Sequence, residues 1–240
     1  MADTHIVKSY DDQLKKLNQS IARMGGLAEA ELQSAIQAFA RRDAALAERT
    51  VESDRLVDDM EREIDDQAIR LLALRQPMAG DLRVVICSLR IGGDLERIAD
   101  YAKNIAKRVV ALTQLTPVQP ALAIPRMGRV VQEMLKEVLD AFSTRDVPRA
   151  QAVWNRDAEL DAMHSSLFRE LLTYMMEDPR NITPCTHLLF VAKNLERIGD
   201  HSTNIAEMVH YLVHGRPLED RRKGDEASFA VAGTEKAGDR

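Results

Sequence analysis

A glutamate, an aspartate and an asparagine recur at four-residue steps in two places one hundred residues apart: Glu96, Asp100 and Asn104, then Glu196, Asp200 and Asn204. On a helix this spacing stacks three oxygen-bearing side chains along one face. Like charges at that spacing destabilise an isolated helix slightly, so two retained pairs call for a compensating cation. That cation is either an arginine or lysine of the chain or a metal ion. Arg97 and Lys103 are placed to pair with the first set, whereas the second keeps Arg197 but carries Thr203 where Lys103 stood. The loss weakens a pure salt-bridge account.

Asp54 and Asp58 add a second acidic pair, echoed by Asp157 and Asp161 at an offset of 103 residues. Helical angles put Asp54, Asp58, Glu61 and Asp65 within about 60° of one another. Two such helices facing each other would bring four or more carboxylates onto adjoining strips, with an asparagine carbonyl at hand. Without a counter-ion such a cluster is strongly repulsive. Oxygen donors in that number suit Mg²⁺, Mn²⁺, Ca²⁺ or iron better than a thiolate-seeking metal. The residue pattern by itself leaves two readings open, a bound multi-carboxylate metal site and a solvated, arginine-paired acidic face.

Three histidines stand near these carboxylates. His201 adjoins Asp200, but its counterpart is Tyr101, which favours a packing role. Asp161 and His164 have helical ligand spacing. Glu207 and His210 have the Glu-x-x-His form of di-iron carboxylate sites, which raises a metal-oxidase reading. That chemistry needs a second such motif, and the counterparts here are Lys107 and Val110. No nucleophile elbow, glycine-rich phosphate loop or Cys/His dyad appears.

The elements that must position these residues are helices. Leu95 to Ala106 reads LERIADYAKNIA and Leu195 to Ala206 reads LERIGDHSTNIA, identical at eight positions of twelve, so the chain is an internal duplication. Aromatics are only 4%, and Gly (11) and Pro (8) are sparse, which suits long helices and starves a β-sandwich. Leu14, Leu17, Ile21 and Met24, then Leu32, Ile36 and Phe39, mark a first amphipathic helix with a soft spot at Gly25-Gly26. Asp43 caps a second helix that runs to about Gln76 and stops at Pro77. A third runs from near Ala79 to about Leu112. Its residues Leu82, Ile86 and Leu89 share the motif face, whereas Leu95, Ile98, Ala102 and Ile105 lie roughly opposite, so it is covered on two sides.

Pro117, Pro120 and Pro125 cluster into a linker, after which the pattern returns: Pro125 to Phe142, Asp146 to Glu177, and Ile182 to His214 before Gly215 and Pro217. The expected architecture is all-α, with two tandem, similar three-helix bundles at 1–114 and 125–215, a linker at 115–124, and a disordered polar tail at 216–240.

A net charge of −5, from 33 basic and 38 acidic residues, with no basic block, argues against nucleic acid as a partner. No apolar run approaches the roughly 18–20 residues of a membrane span, and the start lacks signal-peptide character. A soluble, cytoplasmic protein without membrane insertion is expected. Cys87 and Cys185 read as reduced core residues.

The start of the third helix (Gln76 to Arg83, QPMAGDLR), the Asp94 to Asp100 run (DLERIAD) and Asn194 to Glu207 (NLERIGDHSTNIAE) closely resemble the PhoU family of phosphate-transport accessory and signalling proteins. The resemblance spans approximately residues 5–215 and implies two similar three-helix bundles. It further implies metal clusters held by paired acidic motifs on the second and third helices. By position these are Asp54, Asp58, Glu96 and Asp100 in the first bundle and Asp157, Asp161, Glu196 and Asp200 in the second, with Asn104 and Asn204 as additional contacts. The implied cofactors are carboxylate-bound divalent or trivalent ions (iron, zinc, manganese or magnesium). The implied function is non-enzymatic: restraint of phosphate-starvation signalling through a phosphate ABC transporter ATPase subunit and a membrane sensor histidine kinase, by a homodimer.

Overall fold

The computed structural model describes residues 2–218, with side chains described from Tyr10 onward. The expected tail lies almost wholly in 219–240, outside the described residues. Seven α-helices follow one another: α1 (Ala2–Arg41), α2 (Ala44–Ser53), α3 (Arg55–Arg75), α4 (Ala79–Thr113), α5 (Ile124–Thr144), α6 (Val147–Glu177) and α7 (Ile182–His214). No strand occurs among the described residues. The proline-rich connection is not structureless throughout, because Gln119–Ala123 winds into a 3-10 turn that buries Pro120.

Local chemistry sets the helix ends. The Asp43 carboxylate accepts from the Leu46 N–H at 2.9 Å, and Asp146, 103 residues later, accepts from the Arg149 N–H at 3.0 Å. Each satisfies one of the orphan donors of a helix N-terminus. Gly215 closes α7 at φ 69°, the left-handed conformation that a residue without Cβ adopts without strain. α1 runs without interruption through Gly25-Gly26.

One helix departs from expectation. The expected second helix is interrupted only at Asp54, between α2 and α3, where the backbone keeps right-handed helical dihedrals (φ −51°, ψ −35°) and the Asp54 carbonyl accepts from the Asp58 N–H. The turn before the break carries two hydroxyls that bond back to the backbone, Thr50 Oγ1 to Leu46 O and Ser53 Oγ to Thr50 O, both at 2.8 Å. Such bonds bend helices by competing with the ladder. The matching stretch of α6 lacks this Thr/Ser pair and passes Asp157 unbroken.

α1, α2/α3 and α4 form one three-helix bundle, and α5, α6 and α7 form the other. The first core uses the apolar stripe read above, Leu17, Ile21, Met24 and Leu32, together with Ile64 of α3, and the second is built on Ile124, Met127, Met134 and Leu160, all fully buried. The bundles meet through α4 against α7 and α1 against α5. α7 of the same chain covers the side of α4 that carries Cys87, Asp94 and Tyr101. The strip expected on the motif face is covered less, with Leu82 exposed and Ile86 and Leu89 half-buried. Burial of the side against α7 is the hydrophobic term that fixes both motif helices, back to back, at the centre of the molecule.

Candidate functional site

In the first bundle Asp54, at the junction of α2 and α3, lies against α4. Asp54 is 6% exposed, and its Oδ2 accepts from Lys103 Nζ at 2.6 Å. Lys103 also donates to Asp100, one turn before it on α4. Burial opposes the lysine's charge, but the hydrogen bonds to Asp100 and Asp54 outweigh it and hold its pKa above the usual lysine value. Arg97 approaches from outside, 3.5 Å from Glu96 and 3.9 Å from Asp100. The chain thus supplies its own cation at the heart of this cluster.

Burial, followed by the neighbouring Asp100, raises the pKa of Glu96. Burial, followed by Asp65 and Asp58, raises that of Glu61. Both shifts record carboxylates crowded at a half-buried surface. A further acid was missed in the sequence. Glu31 of α1 is 4% exposed, and neither of its carboxylate oxygens has a hydrogen-bond partner. Burial, then the charge of Asp54, lifts its pKa to about 8. The signal for it lay in the stripe Met24, Ala28, Glu31, Ala35, Ala38, where one charged residue stands at a core position.

The second bundle repeats the acids without the internal cation. Asp157, 8% exposed, and Asp161 on α6 face Glu196 and Asp200 on α7. Burial, then Glu196, Asp157 and Asp161 in that order, raises the pKa of Asp200 to about 6, with Lys193 opposing. Thr203, where Lys103 stood, turns its hydroxyl back to the Asp200 carbonyl at 2.7 Å. Lys193 contacts the edge of the cluster, 2.5 Å from Glu196 Oε1, while Glu196 Oε2 is buried without a hydrogen-bond partner. Gly199 permits the approach of α6, since a Cβ there would lie 2.3 Å from Leu160 Cδ2.

As the side chains stand, no three His, Cys, Asp or Glu residues among the described ones close around a single point. The donor set of the second cluster nevertheless fits an oxygen-seeking cation: four carboxylates, a stranded buried oxygen, and no internal ammonium. Gathering them on one ion requires side-chain rotation. The first set fits less well, because Lys103 already bridges Asp54 and Asp100.

Several predicted neighbours lie elsewhere. Asn204 donates to Asp94 of α4 at 3.3 Å, and His201 Nδ1 lies 2.8 Å from the same carboxylate, so both belong to the crossing of α4 and α7. Asn104 lies at that crossing too, beside Asn194. His164 sits against Glu196, its pKa lowered by burial that outweighs the carboxylate. Glu207 accepts from Trp154 Nε1 at 3.2 Å, whereas His210 Nδ1 lies 3.1 Å from the Arg216 carbonyl oxygen. Those separate partners lend nothing to a di-iron pairing. Cys87 and Cys185 are free and buried.

A duplicated, all-helical pair of bundles, each with acids from its second and third helices facing one another, defines the class of protein. The family model described as "PhoU domain" matches twice, at residues 21–109 and 124–209. The chain belongs to the PhoU family. It is 52% identical over 219 residues to the "Phosphate-specific transport system accessory protein PhoU homolog" of Caulobacter vibrioides (strain NA1000 / CB15N), covering 91% of this chain and 95% of that one. The protein of the same description from Rhizobium meliloti (strain 1021) is 49% identical over 230 residues, covering 95% and 97%. The crystal structure of PhoU from Pseudomonas aeruginosa superposes with a TM-score of 0.84 at 39% identity, covering 86% of this chain and all of that one. The phosphate transport system regulatory protein PhoU from Streptococcus pneumoniae gives 0.81 at 30% identity, covering 88% and 99%.

Proposed function

We propose that this protein is a non-enzymatic accessory regulator of phosphate transport, which restrains phosphate-starvation signalling by contact with a phosphate ABC transporter ATPase subunit and a membrane sensor histidine kinase. The observation that carries the reading is the end-to-end match, both halves in order, to relatives described as phosphate-specific transport system accessory proteins. A contact role is further supported by the large apolar side chains left exposed at four-residue steps on α6, Phe168, Leu172 and Met176. No helix among the described residues is long and apolar enough to cross a membrane. The proposal extends to a homodimer and to a cytoplasmic location.

We infer that divalent or trivalent cations occupy the acidic clusters, held by Asp157, Asp161, Glu196 and Asp200 in the second bundle and more weakly by Asp54, Asp58, Glu96 and Asp100 in the first. A bound ion would lock α6 to α7, or α3 to α4, by neutralising carboxylates that otherwise repel. The chain's own part is to hold those carboxylates on rigid, packed helices and to keep bulk water from the buried faces of Asp54 and Asp157.

The test is co-purification of the full-length protein with the ATPase subunit and with the kinase, each at high and low phosphate. Retention of at least one partner, changed by phosphate, is expected. Reproducible absence of both across phosphate conditions overturns the regulatory reading.

A further inference from the structure

The crossing of α4 and α7 carries one arrangement twice, and its two ends differ in charge. At one end a carboxylate of α4, Asp94, is held by two groups of α7: His201 Nδ1 at 2.8 Å and Asn204 Nδ2 at 3.3 Å. The offset of 100 maps Asp94 onto Asn194, His201 onto Tyr101 and Asn204 onto Asn104. At the other end, therefore, an amide, Asn194, stands in place of the carboxylate, and the amide equivalent to Asn204, Asn104, is present.

What lies there is a cavity of about 420 Å³, lined by Asn104, Lys107 and Arg108 of α4 and by His187, Phe190 and Asn194 of α7. No aspartate or glutamate lines it. Neither Lys107 nor Arg108 enters a salt bridge among the described residues. The Arg108 guanidinium carbon instead lies 4.4 Å from the centroid of the Phe190 ring, a contact that orients the group without neutralising it. His187 Nδ1 is buried without a hydrogen-bond partner. The charge is particular to this end, since the counterparts of Lys107 and Arg108 are Glu207 and Met208.

We propose that this cavity binds a small tetrahedral oxyanion, with Arg108 and Lys107 supplying charge and Asn104, Asn194 and His187 supplying further donors. Two cations balance a doubly charged anion. The donors outnumber what the two oxygens of a carboxylate would use, and match the four of a phosphate or sulfate. The ammonium of Lys107 serves as a point charge, whereas the guanidinium of Arg108 can engage two oxygens at once. Such a site would place an anion between the two bundles, where its occupancy bears directly on the packing of α4 on α7. The inference does not rest on the proposed regulatory role, because binding is read on the purified chain without any partner.

Inorganic phosphate is titrated into the chelator-treated, full-length protein by calorimetry, with sulfate and glycerol phosphate as competitors. One saturable site per chain is expected, competed by sulfate. Asn194→Asp, which restores the carboxylate found at the other end of the crossing, and Arg108→Met, which copies the duplicate, should each weaken phosphate by about tenfold or more. Lys136→Gln, on α5, should leave it unchanged. Circular dichroism checks that both cavity variants remain helical, and the two together keep the test intact if one misfolds. Competition by glycerol phosphate extends the site to phosphoryl groups carried on larger molecules, whereas competition by the inorganic ions alone restricts it to the free anion. No saturable binding, binding that survives both cavity substitutions, or binding that requires re-added metal overturns the proposal. Each of these outcomes is separable from failure to retain a transporter or kinase partner.

Discussion

Lys103 Nζ lies 2.6 Å from Asp54 Oδ2, a pair 49 residues apart in sequence that ties α4 to the break between α2 and α3. Thr203 stands at the equivalent place in the duplicate, so only one of two homologous acidic clusters carries an internal ammonium. Lys103 and the buried acid Glu31 occur together, and their counterparts are the neutral Thr203 and Met134, at offsets of 100 and 103. The first cluster holds an acid and a base at positions that are neutral in the second, whose lysine, Lys193, contacts only its edge at Glu196.

That asymmetry predicts unequal metal binding. Elemental analysis after dialysis should find metal retained mainly by the second bundle, lost in Asp157→Asn combined with Asp200→Asn and little changed in Asp54→Asn combined with Asp100→Asn. Lys103→Thr should raise the metal content and Thr203→Lys should lower it. Equal losses from the two double variants would refute the assignment.

The same pair should matter to stability when metal is absent. Lys103→Met leaves Asp54 buried without its ammonium, and the cost is expected to be about 1–3 kcal/mol, below the value for a fully buried pair because the lysine is partly exposed. Adding Asp54→Asn should recover much of it. Urea denaturation of chelator-treated protein measures both, and a Lys103→Met variant as stable as the parent would contradict the account.

Stability of the metal-free protein should fall as pH rises. Glu31 has a folded pKa of about 8 and Asp200 one of about 6, both raised above their ordinary carboxylate values. The folded state therefore binds protons more tightly than the unfolded state. The stabilisation is complete below about pH 4, where both states are protonated, and is lost through about pH 6 for Asp200 and about pH 8 for Glu31. Thermal melts of chelator-treated protein from pH 4.5 to 9 should show the decline, with Glu31→Gln removing its upper part and Asp200→Asn its lower part. A flat profile would remove the basis for a buried, stranded Glu31.

Close packing at Gly199 makes a last prediction. Gly199→Val would drive a branched side chain into Leu160 and should destabilise the second bundle by about 1–3 kcal/mol. Combining it with Leu160→Ala should recover part of that loss. Denaturation curves of the single and double variants decide whether the contact is as tight as the helix approach requires.

The helices were legible because their signals are local. The stripe from Leu17 to Phe39 has the helical period, Asp43 and Asp146 are capping residues, and Gly215 fits a left-handed terminus. The acidic pairs were legible because duplication repeats them. The interruption at Asp54 was not, since it is a single residue whose backbone stays helical, too slight to leave a mark in the apolar period. Glu31 escaped because no acid repeats it at Met134, although its place among alanines in a buried stripe was a visible clue. Asn104 and Asn204 share the spacing of the acids, yet a 40° rotation along α4 and α7 carries them to the crossing between bundles.

The amino-acid order by itself determined an all-helical, doubled chain with acids grouped along its second and third helices, because helix periodicity, capping and repetition act over a few residues. That Lys103 reaches Asp54 as well as Asp100, that Glu31 is buried beside them, and that Asp94, His201 and Asn204 meet where α4 crosses α7, were decided only in three dimensions. Those outcomes depend on distances between side chains far apart along the chain, set when burial of two apolar faces of α4 fixed it against α1 and α7 at once.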